Sequence, residues 1–225
     1  MGKVVIAYIH PGTTSAFFTQ SLLLTVRRDV AENRRIVDVT QGWSSANVSS
    51  SRNDLTAYFL DHHDAEWLWW IDADMAWDHD ALERLIASAD PTTAPIVGGL
   101  CFGASEDRLF PTIYQFTKDD QDRLTTMRVG DYPDDMLVPC AATGAAFLLI
   151  HRSVLVKMRE HGFNAAFPWF QETEVAGQPC GEDITFGIRA GICGFPVHVD
   201  TGIKVGHHKS HLLTADLFRT QVPAS

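Results

Sequence analysis

Trp67-Leu68-Trp69-Trp70-Ile71-Asp72-Ala73-Asp74-Met75 is the stretch whose reading decides the fold. Five consecutive large apolar residues run into two carboxylates one residue apart. A short apolar run without helical spacing reads as a strand buried on both faces. Asp72 and Asp74 then stand where that strand leaves its sheet, and in open α/β sheets this carboxyl edge is where ligands bind. The pair is expected to hold a divalent cation against a nucleotide diphosphate.

On the N-terminal side, Lys3 to Ile9 is β-branched and apolar and predicts a first buried strand. His10-Pro11-Gly12-Thr13-Thr14 breaks it as a turn. Ser15 to Ala31 then carries Phe18, Leu22, Val26 and Val30 at helical spacing. Strand, short turn and helix make a Rossmann-like opening unit. It lacks G-x-G-x-x-G, so no dinucleotide fingerprint is supported. It also lacks the glycine-rich arginine loop of nucleotidyltransferases. Arg35 to Val39 predicts a second strand, Gly42 to Ser51 a Ser-rich loop, and Arg52-Asn53 the opening of a helix. An arginine at a helix start opposes the helix dipole. Arg52 is therefore expected to face an anion or an acidic partner such as Asp72.

On the C-terminal side, Asp78 is the expected N-cap of a helix over Ala81 to Ala89, with Asp80 in its first turn. Both acids are structural in this reading. Pro95 to Leu100 predicts a strand ending on glycines, and Gly103 to Pro133 a polar hairpin or mobile excursion over the site. Met136 to Ile150 is apolar but holds Thr143-Gly144 among small residues, where a backbone can approach a ligand closely. A short helix over Val154 to His161 follows. Phe167-Pro168-Trp169-Phe170 precedes Gly181-Glu182-Asp183, which leads into a helix, and Gly194 to Asp200 predicts a final strand.

Two decoys fail on their own spacing. Counted from Asp72, acids fall at five EF-hand positions, but Trp77 stands where the loop requires glycine. His207 and His211 have zinc-protease spacing, but His208 replaces the glutamate base.

A chain of 225 residues fits one domain and can bury a real core. A net charge of −10, from 18 basic and 28 acidic residues, argues against non-specific nucleic-acid binding, which lysine and arginine drive. The four cysteines form no CxxC pair and read as scattered core thiols of a reducing compartment. The first apolar segment is too short for a signal peptide or a membrane span. The expected location is cytoplasmic, or host cytoplasm for a viral source, with no transmembrane segment.

Arg52-Asn53, the apolar strand into Asp72-Ala73-Asp74, Gly98-Gly99, Thr143-Gly144, Gly181-Glu182-Asp183 and Gly206-His207 occur in the order seen in GT-A-fold glycosyltransferases. The chain resembles the compact, family-2-like enzymes of bacteria and their phages, from about residue 3 to 208. A lone DxD is weak. DxD on a buried strand, GED about 110 residues later and GH near the end are together more specific.

The resemblance implies an α/β/α sandwich with a mainly parallel central sheet in a single domain over 1–225. Residues 1–100 would bind the nucleotide sugar, 101–208 the acceptor, and 209–225 would form a tail. It implies metal-dependent, inverting transfer of a sugar from a nucleoside-diphosphate sugar, a UDP-sugar favoured, to a hydroxyl acceptor. That acceptor would be a protein, a glycan or lipid, or a modified nucleobase. Asp74 would be the principal metal ligand, with Asp72 on the metal or the donor ribose and His207 completing the site; His208 competes with it for that role. His10, Pro11 and Arg52 would contact the nucleotide. Asp183 would be the catalytic base, with Glu182 contacting a hydroxyl, and Gly144, Trp169 and Phe170 would line the acceptor side. An imidazole ligand favours Mn²⁺, whereas Mg²⁺ suits oxygen-only sites. The rival readings are a nucleotide-sugar or glycan-binding module without turnover, and a sugar nucleotidyltransferase.

Overall fold

The computed structural model describes residues 2–44, 47–105 and 108–210. His211 and the rest of the expected tail lie outside the described residues. The first part of the chain forms β1 (Val4–His10), α1 (Ala16–Glu32), β2 (Ile36–Trp43), α2 (Val48–His62), β3 (Trp67–Ile71), β4 (Met75–Ala76), α3 (Ala81–Ser88) and β5 (Ile96–Leu100). Two hairpins follow, β6 (Phe102–Ser105) with β7 (Arg108–Pro111) and β8 (Ile113–Lys118) with β9 (Leu124–Arg128). The chain continues through β10 (Leu137–Cys140), β11 (Ala142–Thr143), β12 (Phe147–His151), α4 (Arg152–His161), β13 (Thr173–Val175) and β14 (Gln178–Cys180). It closes with α5 (Glu182–Ile192), β15 (Val197–Lys204) and β16 (Gly206–His207).

Seven strands form the central sheet in the order β10-β15-β5-β12-β3-β1-β2. β1, β2, β3, β5 and β15 share one direction, and β12 and β10 oppose it. β3 sits inside the sheet and is buried along its whole length, as its apolar run requires. Its residues alternate between two cores. Leu68 and Trp70 join Phe59, Leu155 and Phe186 on the side of α2, α4 and α5. Trp67, Trp69 and Ile71 join Phe18, Trp77 and Leu85 on the side of α1 and α3. Among the described residues the indole N–H groups of Trp69 and Trp70 find no acceptor. An unmet buried donor costs about 1–3 kcal/mol, and fully burying a large apolar side chain contributes about as much. Strand burial wins here because all five residues of the run contribute and only two carry the penalty.

Several boundaries differ from the sequence reading. α2 begins at Val48, capped by Asn47, whose side chain accepts from Ser50 N, so most of the expected Ser-rich loop is helix. Arg52 therefore lies in the second turn and does not open the helix. α1 starts after Ser15, as read, but its buried face carries Phe18, Ser21, Thr25 and Asp29. Leu22 and Val26 are only partly buried, and Val30 is exposed. The polar residues turn inward because each has a partner outside its own helix. Ser21 and Thr25 bond Trp77, and the Asp29 carboxylate accepts from Arg35 N and Ile36 N. Asp80, not Asp78, is the N-cap residue of α3, and its side chain makes no cap bond. Among the described residues, no helix is long and apolar enough to cross a membrane.

Candidate active site

The carboxyl ends of β1, β2, β3 and β5 and the start of β12 meet along one edge of the sheet. At that edge Asp72 N donates to Ala146 O at 2.8 Å, and a tight turn closed by Met75 N to Asp72 O at 3.1 Å carries Ala73 and Asp74. The turn returns as β4, which pairs antiparallel with β16 so that His207 lies opposite Met75. This two-residue ladder joins Asp74 to a histidine 133 positions downstream.

His207 Nε2 lies 3.1 Å from Asp74 Oδ2, and His207 Nδ1 lies 2.8 Å from the Phe102 carbonyl. A carbonyl only accepts, so Nδ1 carries the proton in that contact. In the neutral ring Nε2 is then a lone pair facing a carboxylate oxygen, an arrangement that needs a cation or a second proton between them. Lys209 Nζ reaches the same Asp74 oxygen at 3.0 Å. Burial pushes the Asp74 carboxyl up, but its bonds to His207 and Lys209 prevail and hold it down at about 2. The bond to Asp74 in turn raises the His207 imidazole above its ordinary range. The ring beside Asp74 is that of His207 and not that of His208. Its backbone N–H donates to Asp74 O, and its ring packs 5.3 Å from Phe17.

Asp72 does not join this pair. Arg52 Nη2 donates to Asp72 Oδ1 at 2.7 Å, and Arg52 Nε lies 3.7 Å from Glu182 Oε1. Among the described residues no three His, Cys, Asp or Glu side chains form a metal-holding group. Of the residues expected at the metal, the structure brings Asp74 and His207 together and holds Asp72 on Arg52. Those two fit a divalent ion: one carboxylate and one oriented imidazole, with a carbonyl fixing the ring. Diphosphate oxygens and water complete such a shell when one or two protein groups do not.

A cleft of about 470 Å³ opens beside the turn, lined by Pro11, Thr13, Ser44, Arg52, Asp72 and Asp74 together with His208 and Lys209. This is the size of a small-molecule site. Pro11 is in the lining. His10 stands behind it, with Nδ1 accepting from Gly12 N and its ring 5.2 Å from that of Trp43. Arg52 and Asp72 also line a second hollow of about 170 Å³, with Gly144, Glu182, Asp183 and His207 around it. The two hollows meet at the Arg52–Asp72 pair.

Glu182 and Asp183 open α5 after Gly181, which caps without a side chain. Asp183 Oδ1 accepts from Ile184 N at 2.7 Å. Burial first, and the neighbouring Glu182 charge second, push the Asp183 carboxyl up to about 6, against the pull of Ile184 N–H and Arg52. A carboxylate with a raised pKa in a hollow is suited to accept a proton near neutral pH.

Trp169 and Phe170 are corrected. Both are buried, so neither offers a face to a ligand. The Trp169 indole N–H donates to Leu155 O, and the Phe170 ring stacks on Phe186 at 4.8 Å. Asn53 turns them inward. Its Oδ1 accepts from Trp169 N and its Nδ2 donates to Phe170 O, clamping that backbone to α2. The sequence reading assigned no part to Lys209 or to the Phe102 carbonyl. Lys209 is visible beside the histidine pair, whereas a backbone carbonyl leaves no side-chain signal.

No family model matches the sequence, and no curated protein matches it. Solved structures do. A crystal structure of A197 from STIV is similar with a TM-score of 0.59 at 15% identity, over 92% of this chain and 86% of that one. A crystal structure of GalNAc-T7 with UDP, GalNAc and Mn²⁺ is similar with a TM-score of 0.59 at 10% identity, over 92% of this chain and 44% of that one. At these identities the likeness shows the fold alone. The chain has a GT-A-like α/β/α fold with a mainly parallel central sheet.

Proposed function

We propose that this protein is a metal-dependent, inverting glycosyltransferase that moves a sugar from a nucleoside-diphosphate sugar, a UDP-sugar favoured, to a hydroxyl acceptor. The observation that carries the reading is the pair of hollows joined at Arg52–Asp72, with Asp74 lining the larger, His207 and Asp183 lining the smaller, and Asp74 within 3.1 Å of His207. The GT-A-like fold supports it, as does the UDP and Mn²⁺ content of the GalNAc-T7 structure.

In this reading the nucleotide occupies the larger cleft and the sugar the smaller hollow. Asp74 and His207 would hold a divalent ion, Mn²⁺ or Mg²⁺, which when bound supplies charge neutralisation for the departing diphosphate. Arg52 keeps Asp72 in place at the junction. Glu182 is the hydroxyl contact. Asp183 accepts the proton of the acceptor hydroxyl as its oxygen bonds to the anomeric carbon and the bond to the diphosphate breaks. One base, with attack opposite the leaving group, gives inversion. General-base assistance of this type contributes about 10²–10⁴-fold.

The test is a thermal-shift panel of UDP-, GDP-, CMP- and dTDP-sugars with and without Mn²⁺, followed by donor turnover. A donor present at 100 times its Kd stabilises by about 2.7 kcal/mol. The expected result is a Mn²⁺-dependent shift with UDP-sugars. A flat panel under both conditions would overturn the reading.

A further inference from the structure

The two hairpins between Phe102 and Arg128 build a wall beside Asp183. Tyr114 and Arg128 are direct cross-strand partners on β8 and β9, so their side chains share a face. On its other edge β8 pairs with β11, where Tyr114 lies opposite Ala142. Ala142 packs under Gly187 of α5, so closely that a Cβ there would come within 2.6 Å. The helix bearing Asp183 is thus packed against the same small sheet. The Asp183 charge, after burial, raises the Tyr114 phenol, while Arg128 bonds to it.

The Arg128 guanidinium lies 3.5 Å from the centre of the Phe110 ring. Phe110 can lie flat there because Gly103 is beneath it, and a Cβ at Gly103 would meet the ring at 2.5 Å. Gly103 also lines the hollow that holds Asp183. Glycine, aromatic ring and guanidinium thus form a stack rising from that hollow. Beyond its bond to the neutral Tyr114 phenol, the charge at the top of the stack has no ion-pair partner among the described residues. Lys118 and Arg123 on the same hairpin are paired with Asp122 and Asp119, whereas Arg128 has no carboxylate partner among the described residues. An exposed, stacked guanidinium presents its planar N–H fork to solvent, a geometry that matches carboxylate and phosphate oxygens.

We propose that the acceptor carries an oxyanion, phosphate or carboxylate, beside its reactive hydroxyl, and that Arg128 receives this anion while Asp183 faces the hydroxyl. The proposal rests on the glycosyltransferase reading for the hydroxyl, but the anion site can be tested alone.

Inorganic phosphate, glycerol 3-phosphate and glycerol are titrated calorimetrically into the full chain with UDP and Mn²⁺, in the wild type, Arg128→Gln and Arg128→Lys. Glycerol 3-phosphate and phosphate bind the wild type, Arg128→Gln weakens both at least tenfold, and Arg128→Lys falls between. In turnover, glycerol 3-phosphate outcompetes glycerol as acceptor. Cosedimentation with phosphatidylglycerol against phosphatidylcholine vesicles separates a lipid headgroup from a free anion, and either anionic arm supports the site. Equal phosphate binding in wild type and Arg128→Gln would overturn it, as would glycerol performing as well as its phosphate. Failure of UDP to bind the wild type sinks the donor reading and leaves the Arg128 comparison intact.

Discussion

Arg52 Nη2 sits 2.7 Å from Asp72 Oδ1, and this buried guanidinium is the side chain on which the two hollows converge. It also lies over Trp70 and near Glu182, so one residue touches the β3 core, the larger cleft and the start of α5. Removing one partner of a buried pair strands the other charge. Arg52→Met is expected to lower stability by about 2–3 kcal/mol, discounted because Asp72 is partly exposed. Urea denaturation measures it. Arg52→Lys keeps the charge but loses the planar fork, and is expected to fold while binding donor at least tenfold more weakly.

Asp183 provides a pH signature with a defined sign. Its carboxyl titrates at about 6 in the fold against an ordinary 3.8. A base must be ionised, so turnover is expected to rise with pH and level off above about 6. Asp183→Asn should lower transfer by about 10²–10⁴-fold with UDP binding retained. Unchanged transfer in that variant removes Asp183 as the base.

The same shift reaches stability. Between the unfolded and folded values the native state holds a proton that the unfolded chain has lost, so stability falls as pH rises through that window. Above pH 7 the charged, partly buried carboxylate is a standing cost. Asp183→Asn is therefore expected to raise stability there, by on the order of 2 kcal/mol. A melting series from pH 4 to 8 should show the wild type and variant converging at the acid end.

For the cation, Asp74→Ala and His207→Ala are each expected to weaken Mn²⁺-dependent UDP binding at least tenfold, and chelation should do so in the wild type. His208→Ala should leave the metal dependence in place, because its ring packs on Phe17. A full-strength Mn²⁺ titration in His207→Ala would remove the imidazole from the site.

Trp169 separates core from ligand platform. As a core residue, Trp169→Ala should cost about 3–5 kcal/mol, seen as a lower denaturation midpoint. A variant of native stability with a raised acceptor KM would return the ring to the surface.

How much of this was legible varies by residue. WLWWI declared its burial because neither face offers a polar residue to solvent, and the strand is buried throughout. Ser15 declared the start of α1, since its side chain caps Phe18 N. The inward phase of Ser21, Thr25 and Asp29 was hidden, because polar residues face a core only when a partner outside their helix satisfies them. Trp169 and Phe170 read the same in sequence whether they line a cleft or fill a core. The clamp from Asn53, more than a hundred positions upstream, decides between the two. The Asp74–His207 pairing was suggested by the order of motifs, but its cause is the β4–β16 ladder, too short to leave a periodic signal.

That ladder has a consequence for the growing chain. Synthesis delivers the N-terminus first, so Asp74 emerges long before the imidazole that faces it. A nascent chain that stops short of Gly206 can already contain β1, β2, β3, β5 and β12, yet has no histidine to set against that carboxylate. A chain that ends before Gly206 thus holds every strand of the central sheet but not the ladder that sets His207 against Asp74.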